Sequence, residues 1–213
     1  MVKKKILIVE GNTREENSEF TAVGINTHTE SLIESINFYK KDLDISIANP
    51  SSDNNLKNSI DSLDKYDGMI WGGSSLNIYN DTDEIRRQIS FMRECQSKIK
   101  KIFAICWGLQ VAVTVAGGQV KKSDKGAHRG IAHNIKVNNI GSNHKIYLNK
   151  KRQFNSPAFN FDEVVKIPEG AILLSSNELN NVMGLNFKTN TSDIWGIQYH
   201  PEITYEKLSL IHI

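Results

Sequence analysis

The chain has 213 residues, 39% hydrophobic and 23% charged, with a formal net charge of +2 at pH 7. That is enough apolar material for a single domain, spanning residues 1–213, with a real core, and so even a charge balance excludes any need for a polyanionic partner such as nucleic acid. No stretch approaches the roughly 20 apolar residues of a membrane span, and two cysteines, Cys95 and Cys106, make no disulfide framework.

The N-terminal MVKKKILIVE is basic and then strand-like, unlike a signal peptide, so a cytoplasmic, reduced protein is expected. Residues 5–9 form a short apolar run suited to a buried strand. Residues 10–26 are polar, carry Gly11 and Gly24, and read as a long loop able to shape a pocket. Residues 27–41 space Leu32, Ile33, Ile36 and Tyr39 as a helix does, and residues 43–48 alternate as a strand closed by Asn49-Pro50. Leu56, Ile60 and Leu63 suggest a short helix within residues 51–65. A third strand, 67–71, runs into Gly72-Gly73-Ser74-Ser75. Asp81 or Thr82 can cap the next helix, and Asp83 and Glu84 suit its positive first turn. Ile85, Ile89, Met92 and Cys95 then recur at helical spacing, which makes Cys95 a packing residue.

Residues 101–110, KIFAICWGLQ, read as a strand that runs straight into a helix at Cys106. Ala104 and Gly108, two before and two after, are small, as a sharp strand-to-helix turn requires. A cysteine there is either a core residue or a nucleophile whose thiolate is favoured by the helix N-terminus. The helix continues to residue 116 and ends at Gly117-Gly118. Beyond it, residues 119–122, 131–137, 145–148, 171–175, 182–187 and 193–198 are strand candidates with few helices between them, and a last helix starts at residues 204–210, after which the chain stops abruptly. The alternation of strand and helix in the first half argues an α/β fold of flavodoxin-like, doubly wound kind: a mostly parallel sheet, helices on both faces, antiparallel strands added in the C-terminal half.

The strand at 193–198 leads to His200-Pro201-Glu202. Sites in parallel sheets gather at the C-terminal strand edge, where Cys106 also stands. The expected constellation is Cys106 as nucleophile, His200 as base and Glu202 as the group that orients the imidazole. Gly73 lets backbone approach a substrate closely, and the Trp107 N–H follows the nucleophile, so both suit an oxyanion hole. Alternatively, Gly72-Gly73 is simply a tight turn after a strand.

The segments AICWGLQ and GIQYHPE resemble the two signature segments of the class I, or triad, glutamine amidotransferases. The resemblance extends over residues 67–202. DGMIWGGS is similar to the family's strand and glycine-rich oxyanion loop, and GLQVAVTVAGGQV to the helix after the nucleophile. DEV and IPEGA, at 162–164 and 167–171, are similar to the segment before the final strands. Within the family the chain is most similar to the glutaminase domain of GMP synthetase and its stand-alone relatives. The resemblance implies hydrolysis of the glutamine side-chain amide through a cysteinyl thioester, with Cys106, His200 and Glu202 as triad. It also implies Gly73 and Trp107 as backbone oxyanion donors, and Gly72 and Gln110 at the substrate, with no cofactor. Two positions depart from the family pattern: Ala104 stands where glycine is usual, and Asn160 where relatives commonly carry a histidine. No histidine among His28, His128, His133, His144 and His212 has metal-ligand spacing, so no metal is expected. Nor is there a phosphate-binding G-x-x-x-x-G-K-[ST] sequence. Ammonia would then pass to a separate synthetase or acceptor protein, or the chain is a stand-alone hydrolase of a γ-glutamyl amide or conjugate; a non-catalytic binding relative is the third alternative.

Overall fold

The computed structural model describes residues 3–52, 62–205 and 208. Strand β1 (Lys4–Val9) buries Leu7, Ile8 and Val9 completely. It lies between β2 (Leu43–Ala48) and β3 (Gly68–Trp71), parallel to both. Strand β4 (Lys101–Ile105) extends the parallel set beside β3. The strand that follows it in space comes from far along the chain: β11 (Asp193–Ile197) pairs parallel with β4, Gly196 opposite Ala104.

From β11 onward the sheet is antiparallel, through β10 (Gly184–Lys188), β9 (Ile172–Ser176), β6 (His128–Val137) and β7 (Gln153–Asn160). The nine strands run in the order β2-β1-β3-β4-β11-β10-β9-β6-β7. A separate two-stranded ribbon joins β5 (Gln119–Lys122) to β8 (Asp162–Lys166). Apolar side chains fill both faces. On one, α3 (Asp83–Lys98) and α4 (Trp107–Val115) pack Ile85, Phe91, Met92, Cys95 and Leu109 against Leu7, Met69 and Ile102. On the other, Leu32 of α2 (His28–Tyr39) joins Ile8, Ile105, Ile197 and Tyr199. This is the expected doubly wound α/β sheet with antiparallel additions. Cys95 is fully buried in the core, and burial pushes its thiol up.

Several local expectations are corrected. Residues 10–26 are not one loop: Arg14–Ala22 forms helix α1, started by a capping box in which Thr13 and Glu16 bond each other's backbone N–H groups. Apolar periodicity gave no warning, because α1 buries none of its residues. The strand expected at 145–148 is a 3-10 turn, Lys145–Tyr147, that tucks the Tyr147 ring under the sheet with its hydroxyl on Ser175 at 2.7 Å. Strands β7 and β8 went unforeseen. Their sequences, QFNSPAFN and DEVVK, are polar, and Pro157 is tolerated because β7 is the sheet edge. The helix expected within 51–65 falls largely outside the described residues; within them, Leu63–Lys65 form a 3-10 turn. Most of the helix expected at 204–210 also lies outside them, although the Leu208 N–H donates to the Thr204 carbonyl at 2.9 Å. Among the described residues no helix is long and apolar enough to cross a membrane.

Helix α2 begins with a second capping box, Thr27 and Glu30. Replacing the buried Thr27 by alanine is expected to lower stability by about 1 kcal/mol, read as a lower urea midpoint at unchanged denaturant slope.

Candidate active site

Cys106 sits at the end of β4 with φ 52° and ψ −104°, a backbone conformation that side-chain-bearing residues rarely adopt. The turn is pinned on both sides. The Cys106 N–H donates to the Ile197 carbonyl at the end of β11, at 2.7 Å, and the Gly108 N–H donates to the Gly72 carbonyl just past β3, at 3.2 Å. Gly108 must be glycine here, since a Cβ would come within 2.5 Å of the Trp71 carbonyl oxygen. Ala104, in place of the family glycine, is fully buried between its partners Trp71 and Gly196.

His200 and Glu202 follow β11. The His200 N–H donates to the Pro157 carbonyl on the edge strand at 2.8 Å, and His200 Nδ1 meets Glu202 Oε1 at 2.6 Å, both side chains almost fully buried. Cys106 and His200 line the same pocket. Burial alone would lower the His200 pKa, but the Glu202 carboxylate and the Cys106 thiol together hold it well above its ordinary value. Burial would likewise raise Glu202, and the neighbouring His200 charge holds it below the usual carboxylate range. Cys106, His200 and Glu202 are all buried, and the structure brings Cys106 and His200 to one pocket.

The glycine loop closes the site from the β3 side. A Cβ on Gly73 would lie 2.7 Å from His200 Cε1 and 3.3 Å from His28 Cε1. Among the described residues, neither the Gly73 nor the Trp107 N–H joins the backbone hydrogen bonds that pin this region. Gln110, one turn into α4, lines the same pocket. Its amide faces Gln198 Oε1 at 3.5 Å, and Gln198 Nε2 reaches Cys106 Sγ at 3.3 Å. Gly72 holds the turn through its carbonyl but does not line the pocket.

Sequence reasoning missed four contributors. Gln198, in GIQYHPE, is one. Gln88 of α3 is another: it accepts from Trp107 Nε1 at 2.7 Å and donates to the Gly11 carbonyl at 2.8 Å. Through it the loop before α1 braces the turn at Cys106, and Asn12 adds a bond to the Ser75 N–H at 3.3 Å. Nothing in the polarity of a lone glutamine on a helix announces that role. The third is His28, the first residue of α2, whose ring stacks on His200 with centroids 5.2 Å apart and planes at 20°. Burial, and then the His200 charge, lower its pKa to about 4, so it is neutral at pH 7. The fourth is His128, which pairs in register with Asn160 across β6 and β7 and bonds its Oδ1 through Nδ1 at 2.9 Å. Asn177 Nδ2 donates to His128 Nε2 at 2.9 Å, which fixes the Nδ1–H tautomer. Where Asn160 departs from the family histidine, an imidazole thus stands one strand away.

Ligand atoms of His28, His200 and Glu202 lie within 4.8 Å of one another. Their arrangement does not suit a metal ion: stacked imidazoles point their in-plane lone pairs side by side, and Glu202 is already engaged by His200.

The family model described as glutamine amidotransferase class-I matches residues 25–209. The chain belongs to that family. As a class I glutamine amidotransferase it is 31% identical to a γ-glutamyl-L-1-hydroxyisopropylamide hydrolase of a Pseudomonas species, over 96% of this chain and 69% of that protein. It is 32% identical to γ-glutamyl peptidase 3 of Arabidopsis thaliana over 68% of this chain, spanning 58% of the plant protein's length. To one subunit of the glutamine-hydrolysing GMP synthase of Sulfolobus acidocaldarius it is 26% identical, over 69% of this chain and 73% of that protein.

Two outcomes are expected of this chain. Gln88→Leu orphans two buried polar groups, the Trp107 indole N–H and the Gly11 carbonyl, and should cost about 2–4 kcal/mol in urea unfolding. Unfolded His28 takes up its proton near pH 6.5 and the folded residue only near pH 4. Between those values the unfolded chain holds more protons, so His28 makes the protein lose stability as pH falls from 6.5 toward 4. The His28→Gln variant should show a shallower fall in urea midpoint over that window.

Proposed function

We propose that this chain hydrolyses the amide bond of a γ-glutamyl amide through a thioester on Cys106, releasing an amine and glutamate. The reading is carried by one observation: a cysteine on a strained strand-to-helix turn, sharing a pocket with a buried histidine whose Nδ1 is held by a buried carboxylate. In this reading the Cys106 proton passes to His200, and Glu202 stabilises the imidazolium. The thiolate attacks the side-chain carbonyl carbon. The oxyanion receives the Gly73 and Trp107 N–H groups, each worth about 3–4 kcal/mol in comparable sites. His200 returns the proton to the nitrogen as the C–N bond breaks and the amine departs. His200 then takes a proton from water, which attacks the thioester; the C–S bond breaks, His200 returns that proton to the Cys106 sulfur, and glutamate leaves.

Similarity to the Pseudomonas hydrolase over nearly the whole chain supports the stand-alone γ-glutamyl amide hydrolase reading. Similarity to the GMP synthase subunit favours a second one, in which the substrate is glutamine and ammonia passes to a separate synthetase protein. The two separate in a turnover assay of the purified chain. Activity on N-substituted γ-glutamyl amides without any added protein supports the hydrolase, whereas activity on glutamine that needs a second protein supports the ammonia-supplying role. In either case Cys106→Ala should abolish glutamate release, while Cys95→Ala, a core substitution away from the site, should retain it. A Cys106→Ala protein with unchanged turnover would sink the reading.

A further inference from the structure

The pocket beside Cys106 holds about 280 Å³. Its lining mixes polar and aromatic side chains. Ser74, Ser75, Asn77, Gln110, Asn160 and Asp162 bring polar groups, and Asp162 is held by the Tyr79 hydroxyl at 3.0 Å. Around His200 the wall is largely aromatic. His28 stacks on the His200 ring, Phe20 of α1 meets His28 edge-on at 6.1 Å and 71°, and Phe159 lies 6.1 Å from His200 on β7. Ile203, whose N–H reaches the His200 carbonyl at 3.4 Å, closes that side.

Proton delivery decides which end of a substrate meets this wall. In the reaction proposed above, His200 protonates the departing nitrogen, which must come within about 3 Å of it. Whatever that nitrogen carries therefore extends past His200, into the space between Phe20, His28, Phe159 and Ile203. Ammonia would leave that surface bare. A charged substituent would enter it without a partner, since His28 is neutral at pH 7 and the other three side chains have no polar atom. A ring-sized apolar group would remove the aromatic faces from water and gain edge and stacking contacts with them.

We propose that the amine released at this site carries an apolar, ring-sized substituent, and that Phe20, with His28 and Phe159, selects it. This rests on the γ-glutamyl amide reading. It also accounts for α1, a helix that buries none of its own residues and yet presents Phe20 to the pocket.

The test compares γ-glutamyl phenethylamide with γ-glutamyl ethylamide on the full chain. Both release primary alkylamines of similar basicity, so leaving ability does not decide the outcome. The phenethylamide is expected to show a kcat/KM about tenfold or more above the ethylamide, the discrimination an apolar subsite gives. Phe20→Ala should collapse that ratio toward one, mainly through KM for the phenethylamide, and Phe20→Leu should keep most of it. A wild-type ratio at or below one, or a ratio that Phe20→Ala leaves intact in a folded variant, overturns the inference. Labelling of Cys106 by a diazoketone analogue of glutamine separates the two levels. A labelled enzyme that turns over the ethylamide but has no ring preference refutes the substrate class alone. An unlabelled enzyme inactive on every amide refutes the hydrolase reading and the substrate class with it.

Discussion

The hydrogen bond from the Gly108 N–H to the Gly72 carbonyl is the contact on which the site depends. It forms only because residue 108 has no side chain, which lets the first turn of α4 press against the end of β3. With the bond from Cys106 N–H to Ile197, it ties the ends of β3, β4 and β11 to one another. The positive φ at Cys106 stores strain of about 1–3 kcal/mol, and these two bonds hold it. The glycine loop, the cysteine and the histidine–glutamate pair come from those three neighbouring strand ends, so a single knot of backbone sets their spacing.

The buried His200–Glu202 pair is weak evidence for stability. Removing two charged groups from water is costly, and a well-packed apolar pair would often hold a fold as well. What the pair supplies is orientation: a 2.6 Å contact fixes the imidazole edge that faces away from Cys106. The surroundings reinforce that orientation from either side, His28 by stacking on the ring and the Pro157 carbonyl by holding the His200 backbone.

The parts of the site that can be read in the sequence are those where chemistry and chain geometry coincide in a short stretch. Ala104-x-Cys106-x-Gly108 encodes the sharp turn, and His200-Pro201-Glu202 follows a strand that reads clearly as apolar. The buried strands of the parallel half are legible for the same reason. Helix α1 was not, because its only signal is the Thr13–Glu16 capping box and it has no buried stripe to reveal a period. Edge strand β7 hides behind a proline and several polar residues. Gln88, Gln198, His28 and His128 act through distant partners, 92 residues away in the Gln198–Cys106 contact and farther still in the His28–His200 stack, and no local pattern encodes such pairings.

The place of β11 in the sheet bears on how the molecule matures. It is the last strand in the chain order of the described sheet, yet it lies in the middle, between β4 and β10. A chain emerging from the ribosome displays Cys106 long before His200 exists, and long-range pairings of this kind form late. Until β11 slots in, Cys106 lacks its His200 neighbour, and the turn that carries it lacks the Ile197 carbonyl. The proposed nucleophile and its proposed base therefore meet only as the sheet closes.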